Sequence, residues 1–287
     1  MKAQSAMEYL MTYGWAILII AVVLAALFQL GVFNSSSFSP RAPPGACQVI
    51  RPSGPGTTTN INIMGVCTGQ LPQYVGKFNG ASYYATTGYV LTPTQSGTIS
   101  FWLMTSQLIT NAPYASLFNS GYGSRIQVFT GGSGTGKVEI YWPGASTQYI
   151  GDGTYTAGQW AFVSTTWINA GSGSANGEVI IYVNGAKQVD TTSLTLPISA
   201  SNFQFNIGYS PSGPLYYNGS LANAQLYNAA LTANQIQALY LEGMGGAPMK
   251  LQNLVGWWPL NGNTKDYGGN NNNGVPTAVT FTSQYGK

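Results

Sequence analysis

Much of the chain repeats one pattern, in which short runs rich in β-branched and aromatic residues are separated by glycine, asparagine and serine. Apolar and polar side chains alternate along these runs, and an alternation with a period of two places one set of side chains on each face of a β-strand. The clearest runs are residues 98–104, 137–142, 159–168 and 202–207. Several short strands separated by turn residues predict an antiparallel β-sandwich.

Two local signals add detail to this fold. Asn184 and Gly185 stand between two strand-like arms, and this dipeptide is the strongest short signal for a β-hairpin. Thr232 is a good N-cap for a helix that ends at Gly243, because its hydroxyl can accept a hydrogen bond from the first turn. The residues that fall on the apolar face of that helix are Ile236, Leu239 and Tyr240. We therefore expect one hairpin and one amphipathic helix within the sandwich.

Composition limits the chemistry that the chain can perform. Only 6% of its 287 residues are charged and it has no histidine, so serine–histidine and cysteine–histidine catalysis and histidine metal sites are excluded. Hydrolysis of a glycosidic bond needs two carboxylates about 5 to 9 Å apart, whereas the acidic residues are scattered. The ten basic residues are scattered too, with a net charge of +3, and form no cluster that could hold a phosphate backbone. We expect no enzyme activity, no cofactor and no nucleic-acid partner.

The N-terminus carries a long apolar segment. Residues 15–33 are almost all alanine, isoleucine, leucine, valine and phenylalanine, a run long enough to cross a bilayer as a helix. Ahead of it lies Lys-Ala-Gln-Ser-Ala-Met-Glu-Tyr-Leu, which begins at Lys2 and resembles the class III signal peptide of archaeal type IV pilins. The resemblance implies that a prepilin peptidase cuts between Ala3 and Gln4, so that Glu8 becomes the fifth residue, where type IV pilins carry glutamate.

Glu8 is the charge that this segment has to accommodate, because an unpaired carboxylate in an apolar environment is costly. When such helices pack in a filament, the new α-amine on Gln4 of one subunit can lie beside the Glu8 carboxylate of its neighbour, and each offsets the other's burial. The expected partners are then the membrane before assembly, and copies of this chain or other pilins in an extracellular filament at the cell surface. The alternative is a single-pass membrane anchor with Glu8 at the headgroup level.

The chain is expected to have four parts. A loss of periodicity and a gain of proline and serine mark a semi-rigid linker between the apolar helix and the head. The parts are a leader at residues 1–3, a transmembrane or filament-core helix at 4–33, a linker at 34–46 and a head at 47–287.

Cys47 and Cys67 are the two cysteines of the chain, and both follow the apolar segment. A disulfide between them would close a loop of about twenty residues and contribute roughly 3 kcal/mol by the chain-entropy model. Because disulfides are typical of extracellular proteins, we predict this bond. Two buried free thiols are the alternative.

Six stretches of the head share their order and spacing with a known family, and they are residues 77–84, 98–103, 160–163, 179–185, 217–231 and 232–240. Through these stretches the head resembles the laminin-G-like, concanavalin A-like jelly rolls. The resemblance implies a jelly-roll sandwich that binds glycans or other surface proteins, and we expect the chain to serve in adhesion. A monomeric membrane-anchored lectin and a carbohydrate-active enzyme are the alternatives.

One stretch departs from the order of that family. Residues 254–276 resemble the family's opening strand and loop, yet they stand near the end of this chain, and residues 284–287 echo residues 73–78, where the next strand starts. A circularly permuted jelly roll, whose C-terminal segment packs beside the first strands, explains this order. The alternative is a truncated second domain, although about 34 residues could hardly bury a core.

Aromatic residues are candidates both for stacking on sugars and for the core. Loops at the ends of a sandwich carry function, so we predict a ligand-binding rim at Tyr122, Trp142 and Tyr209. Tryptophans within alternating strands are expected in the core. The residues expected there are Trp102, Trp160, Trp167, Trp257 and, from the family pattern, Tyr217.

Three further residues carry site predictions. Asp266 lies in an asparagine-rich loop and could hold a calcium ion with carbonyl and amide oxygens. An Asx turn is the other interpretation of Asp266, and the one that we favour. Asn34 and Asn218 each begin an Asn-x-Ser sequon, so both are predicted glycan acceptors.

Overall fold

The computed structural model describes most of the 287-residue chain. The described residues are 3–29, 47–50, 58–61, 71–91, 96–105, 115–119, 125–130, 135–143, 147–168, 177–194, 203–210 and 215–283. The linker, Asn34, Cys67 and Tyr122 lie outside them, so the predictions that involve these residues stay predictions. The chain divides into two units, residues 1–41 and residues 42–287.

The first unit contains helix α1, Ala3–Gln29, with Gln4 and Glu8 in its first turns. All the side chains described along it, from residue 13 to residue 26, are exposed, and most of them are apolar. In the part of the chain that the structure describes, no helix combines the length and the hydropathy needed to cross a membrane. The transmembrane role of residues 4–33 stays a prediction.

The second unit is built mainly from strands. Strands β1, Cys47–Ile50, and β2, Thr58–Ile61, pair with each other in antiparallel orientation. The other strands are β3 Val75–Asn79, β4 Tyr84–Leu91, β5 Gly97–Thr105, β6 Ala115–Asn119, β7 Arg125–Thr130, β8 Thr135–Pro143, β9 Thr147–Thr156, β10 Ala161–Ile168, β11 Gly177–Val183, β12 Ala186–Leu194, β13 Phe203–Ile207, β14 Tyr209–Ser210, β15 Leu215–Tyr216, β16 Asn218–Tyr227, β17 Leu254–Trp258, β18 Val275–Thr277 and β19 Thr280–Thr282. Helix α2 spans Ala233–Glu242, and a short 3-10 helix spans Leu251–Asn253.

Two large sheets form the sandwich. The eight-stranded sheet has the order β12-β11-β10-β5-β16-β3-β19, with β17 also paired to β16, and the seven-stranded sheet has the order β18-β4-β13-β6-β7-β8-β9. Strands β14 and β15 form a separate two-stranded ribbon. Neighbouring strands in both large sheets are antiparallel wherever their register is described. The predicted antiparallel jelly-roll sandwich is therefore confirmed.

The predicted hairpin joins β11 to β12 at Asn184 and Gly185, whose φ angles are 51° and 76°. A two-residue turn with both central residues in the left-handed region matches the twist of the flanking strands. The Asn184 side chain also accepts a hydrogen bond from the backbone N–H of Phe162 at 3.0 Å. The turn is thus tied to the adjacent strand β10.

The central strands of the eight-stranded sheet are buried on both faces, and all nine residues of β5 are buried. Its inner face packs against the seven-stranded sheet in a core that includes Trp167 and Tyr217. Its outer face is covered by α2, where Trp102 and Trp160 cluster with Ile236. The core prediction is confirmed for these four aromatic residues, all of which are buried.

Helix α2 begins as its sequence predicts. Thr232 Oγ1 accepts a hydrogen bond from the backbone N–H of Gln235 at 3.4 Å, and Gln235 Oε1 accepts one from the backbone N–H of Thr232 at 3.0 Å. This reciprocal pair is a capping box, and Gly243 caps the other end with a φ of 81°. The helix therefore buries its apolar face over the sheet with both ends satisfied.

The C-terminal segment belongs to the same sandwich. Strand β17 pairs with β16, β18 pairs with β4, and β19 pairs with β3. Along one edge of β16, residues 218–221 pair with β3 and residues 224–227 pair with β17, so β3 and β17 follow each other along that edge. The side chains of Trp258 and Leu260 are fully buried in the core. The prediction that this segment packs beside the first strands is confirmed, and the alternative of a separate second domain is wrong.

Candidate functional site

A cleft lies beside the middle of β16, between its residues 218–221, which pair with β3, and its residues 224–227, which pair with β17. The register of β16 shifts between Ala222 and Gln225, and Asn223 at this bulge has a φ of 51°. The cleft has a volume of about 290 Å³. Its lining residues are Leu71, Pro72, Asn223, Met244, Gly245, Trp257, Pro259, Asn261 and Tyr267. These described lining residues are all uncharged.

Trp257 and Tyr267 form an aromatic wall on this cleft. Their ring centroids are 6.2 Å apart with an edge-on arrangement, a geometry that the charge distribution of aromatic rings favours. Trp257 is half-buried, whereas Tyr267 is 55% exposed. The core prediction for Trp257 holds in part, because its ring packs against the cluster beneath α2 while its exposed part lines the cleft. Neighbouring residues of a strand face opposite sides, so Trp258 lies in the core between the two sheets and Trp257 lies on the other face.

A chain of buried polar groups holds Trp257 in place. Its Nε1–H donates to Asn223 Oδ1 at 2.7 Å, and the same oxygen accepts from Gln225 Nε2 at 3.0 Å. Gln225 Oε1 in turn accepts from the Tyr227 hydroxyl at 2.7 Å. The Asn223 side chain also donates to the carbonyl of Gly246 at 2.9 Å. Burial raises the pKa of the Tyr227 hydroxyl, so this group stays protonated and remains the donor in the chain.

The asparagine-rich loop positions Tyr267 through Asp266. Oδ1 of Asp266 accepts hydrogen bonds from the backbone N–H groups of Trp257 at 2.9 Å and Gly268 at 2.7 Å, and Oδ2 accepts one from Asn272 at 2.9 Å. The bond to Gly268, two residues on, is an Asx turn. The loop is therefore fastened to β17, and Tyr267 projects from the fastened part.

The same geometry bears on the calcium prediction. The Asp266 carboxylate already accepts three backbone hydrogen bonds, which occupy lone pairs that a calcium ion would need. Among the described residues there is no group of three or more histidine, cysteine, aspartate or glutamate side chains that could hold a metal ion. The geometry favours the Asx-turn interpretation.

Polar groups complete the lining of the cleft. The Tyr267 hydroxyl accepts a hydrogen bond from Asn263 Nδ2 at 3.1 Å, which leaves its own hydrogen free to donate. Asn261 Oδ1 accepts from the backbone N–H of Tyr74 at 2.8 Å, and the Asn261 amide N–H groups have no partner among the described residues. The cleft thus offers hydrogen-bond donors beside an aromatic surface.

Of the other predicted site residues whose side chains are described, Tyr209 and Asn218 do not line this cleft. Tyr209 lies in β14, where its ring stacks on Tyr84 and Tyr216. Trp142 lies in β8, and its side chain is outside the described part of the structure. Asn218 begins β16 and is half-buried, and the glycosylation of this residue stays a prediction. The side chains of Ala3, Gln4 and Glu8 also lie outside the described part.

Comparison with known proteins identifies the fold family. The family model described as the concanavalin A-like lectin/glucanases superfamily matches residues 78–237, which is more than half of the chain. A search of curated protein sequences found no match.

Two solved structures resemble the head. A heptameric SAP-like pentraxin from Limulus polyphemus is 13% identical with a TM-score of 0.53, and the match covers 73% of this chain and 94% of the pentraxin. A proposed carbohydrate-binding protein from Bacteroides ovatus is 16% identical with a TM-score of 0.52, and the match covers 78% of this chain and 66% of that protein. At such identities the likeness shows the fold alone. Through the match of residues 78–237, the chain belongs to the concanavalin A-like lectin/glucanases superfamily.

Proposed function

We propose that the head binds neutral glycans in the cleft lined by Trp257 and Tyr267. The observation that carries this proposal is the aromatic wall, held in place by buried hydrogen bonds and set beside unpaired amide and hydroxyl donors. Small-molecule sites combine apolar and aromatic surface with a few fixed polar groups that set orientation. A sugar ring fits such a lining, because its C–H face packs on an aromatic ring while its hydroxyls bind amides.

The charge of the lining supports a neutral ligand. The described lining residues carry no basic side chain that would pair with a sialic or uronic acid, and no acidic side chain that would repel one. Binding would then depend on hydrogen bonds and apolar contact, which salt screens little. We therefore expect the affinity to change little with ionic strength.

The same lining supports binding over hydrolysis. Glycoside hydrolases place two carboxylates about 5 to 9 Å apart across the scissile bond, and the described lining residues of the cleft carry none. Asp266 is close in sequence to Tyr267, but its carboxylate is engaged by three backbone N–H groups. The family includes lectins, and the Bacteroides ovatus protein of similar fold is described as carbohydrate-binding, which agrees with a lectin-like role.

Calorimetric titration of the full chain with neutral hexasaccharides of glucose, mannose and galactose tests this proposal. We expect at least one hexasaccharide to bind, and Trp257→Ala and Tyr267→Ala each to weaken binding by about tenfold or more, as expected for an aromatic anchor. Leu251→Ala is the matched control, because Leu251 is 68% exposed and does not line the cleft. Equal affinities for the wild type and both aromatic variants would overturn the proposal.

We further propose that α1 displays the head at the cell surface as part of a pilin-like filament. Support comes from the leader-like residues Lys2 to Glu8 and from the exposed apolar side chains described along α1, which need a covering partner. Packing of α1 against copies of itself would cover them and pair the Gln4 amine with Glu8 of a neighbour. Prepilin peptidase would release that amine by cutting after Ala3.

N-terminal sequencing of the protein from sheared surface fractions and from membranes tests this second proposal. A chain that begins at Gln4 in the sheared fraction is the expected result. A chain that keeps Met1 and is recovered only from membranes would leave the alternative, a monomeric anchored lectin. This outcome would not affect the proposal on the cleft.

A further inference from the structure

Three tyrosines, Tyr84, Tyr209 and Tyr216, form a cluster outside the cleft. The ring centroids of Tyr84 and Tyr209 are 4.7 Å apart, those of Tyr209 and Tyr216 are 5.0 Å apart, and those of Tyr84 and Tyr216 are 6.2 Å apart. These distances describe a triangle rather than a linear stack. All three residues are partly exposed. We call this group the tyrosine cluster.

A single buried residue holds the three segments that carry the cluster. The backbone N–H of Tyr217 donates to the carbonyl of Gly208 at 3.0 Å, and its carbonyl accepts from the backbone N–H of Gly80 at 2.9 Å. The Tyr217 ring is fully buried, and its hydroxyl donates to the carbonyl of Ser220 at 3.2 Å. The loop before Tyr84, the start of β14 and the end of β15 are therefore fixed to one another through Tyr217.

Gly208 makes this arrangement possible. Its φ is 80°, and a Cβ at this position would lie 2.5 Å from the ring of Phe78. Only glycine fits a backbone with this φ against a buried ring. The chain therefore passes directly over the core at Gly208 and places Tyr209 at the surface.

The three hydroxyls of the cluster have no hydrogen-bond partner within the part of the chain that the structure describes. Partial burial raises the pKa of the Tyr209 hydroxyl, and the neighbouring Tyr216 and Tyr84 hydroxyls add to the increase, so the Tyr209 hydroxyl stays protonated at neutral pH. Each neutral phenol can donate one hydrogen bond and accept another.

The described residues that precede Tyr84 in the chain and pair with it in the sheet include neutral polar groups. Thr277 is the strand partner of Tyr84. Asn79 and Ser82 form the turn that precedes Tyr84, where Asn79 Oδ1 accepts hydrogen bonds from the backbone N–H groups of Ala81 and Ser82 at 3.0 Å each. A ligand at the cluster meets ring surface, phenol hydroxyls and neutral polar groups.

The geometry points to a second binding site for neutral glycans at the tyrosine cluster, independent of the cleft. Partly exposed rings supply apolar contact area, and hydroxyls without a partner among the described residues supply hydrogen bonds to sugar hydroxyls. The inference shares its ligand class with the proposed function, but it rests on different residues.

The two sites lie near opposite ends of β3. Tyr74, just before β3, donates its backbone N–H to the cleft residue Asn261, whereas the turn after Asn79 leads to Tyr84. A strand of five residues spans about 17 Å. A polysaccharide long enough to reach both sites would gain avidity from the second contact, and a short oligosaccharide would not.

Calorimetric titration of the full chain with the neutral hexasaccharides of glucose, mannose and galactose tests the inference. The wild type is expected to bind two molecules of the recognised hexasaccharide per chain, and Trp257→Ala one. The double variant Tyr84→Phe and Tyr216→Phe keeps the rings but removes two hydroxyls, so its second site should weaken by about tenfold or more. Tyr83→Phe is the matched control, because Tyr83 packs against the core.

The outcomes separate the two proposals. The inference would be overturned if the wild type bound one hexasaccharide per chain, if Trp257→Ala abolished that binding, and if the Tyr84→Phe and Tyr216→Phe double variant bound as the wild type does. The cleft would then be the only glycan site found. If the Tyr84→Phe and Tyr216→Phe double variant weakened binding and Trp257→Ala did not, the result would support the site at the tyrosine cluster. It would also overturn the proposal on the cleft. Absence of binding to all three hexasaccharides would overturn both.

Discussion

Trp257 Nε1 donates a hydrogen bond of 2.7 Å to Asn223 Oδ1, so a residue at the bulge of one strand sets the direction of an aromatic ring on the next. Asn223 has a φ of 51°, a conformation that asparagine tolerates better than most residues. The bulge lies between the residues of β16 that pair with β3 and those that pair with β17, and it presents the Asn223 amide to the tryptophan that lines the cleft.

Removing the Asn223 side chain should weaken both stability and binding. Asn223→Gly keeps the left-handed backbone accessible but leaves the donors of Gln225 and Trp257 without their acceptor, which should lower the free energy of unfolding by about 1–3 kcal/mol. The loosened indole should also lower hexasaccharide affinity by about tenfold. Urea unfolding and calorimetry of the full chain measure the two effects. Wild-type values for Asn223→Gly would contradict the positioning role.

Trp258 tests whether the C-terminal segment is part of the main core. Its side chain is fully buried, and its Nε1–H donates to the carbonyl of Asn272 at 2.8 Å. Trp258→Ala should lower the free energy of unfolding of the head by about 3–5 kcal/mol, because it leaves a large cavity. The unfolding transition followed by circular dichroism should remain a single transition and should shift as a whole. A separate early transition with the main one unmoved would show that this segment folds on its own.

Gly208 and Gly269 form a matched pair of glycines with positive φ. A Cβ at Gly208 would meet the Phe78 ring at 2.5 Å, whereas a Cβ at Gly269 would meet nothing within 4 Å. Both alanine variants suffer backbone strain of about 1 kcal/mol, and only Gly208→Ala also displaces Phe78. Urea unfolding should therefore show a clearly larger loss for Gly208→Ala. Equal losses of unfolding free energy in the two variants would mean that the contact with Phe78 adds nothing to the cost of Gly208→Ala.

Alkaline pH should unfold the head through its buried tyrosines. Burial raises the pKa values of Tyr155, Tyr217 and Tyr227, whereas in the unfolded chain these hydroxyls ionise near pH 10. Their stabilising contribution is complete below pH 10 and is lost as the pH rises above 10 toward the folded-state pKa values. Ultraviolet absorbance at the tyrosinate band should show these residues ionising together with the loss of circular dichroism. Full ionisation in a chain that stays folded would contradict this prediction.

Local patterns in the sequence predicted the local elements. The capping box at Thr232 and the hairpin at Asn184 depend on residues close together in the chain, so propensity and spacing were sufficient. The residues of the proposed sites were harder to predict. Tyr209 was predicted for a ligand-binding rim but Tyr84 was not, because the two meet only through the pairing of β4 and β13. The pairing register of β4 and β13 cannot be read from a single sequence. The place of Trp257 was also hard to predict, because core clusters lie on both faces of the eight-stranded sheet and alternation along β17 alone does not separate a core position from a cleft position.

The resonances of the tryptophan indoles offer the most direct test of glycan binding in the cleft. The chain has seven tryptophans, and the Trp257 Nε1–H signal can be assigned by its loss in Trp257→Phe. Addition of the neutral hexasaccharides should shift this signal in a saturable way, whereas the signal of Trp258, buried and bonded to Asn272, should stay in place. If a hexasaccharide binds the chain to saturation and the Trp257 signal does not move, the cleft is not the glycan site.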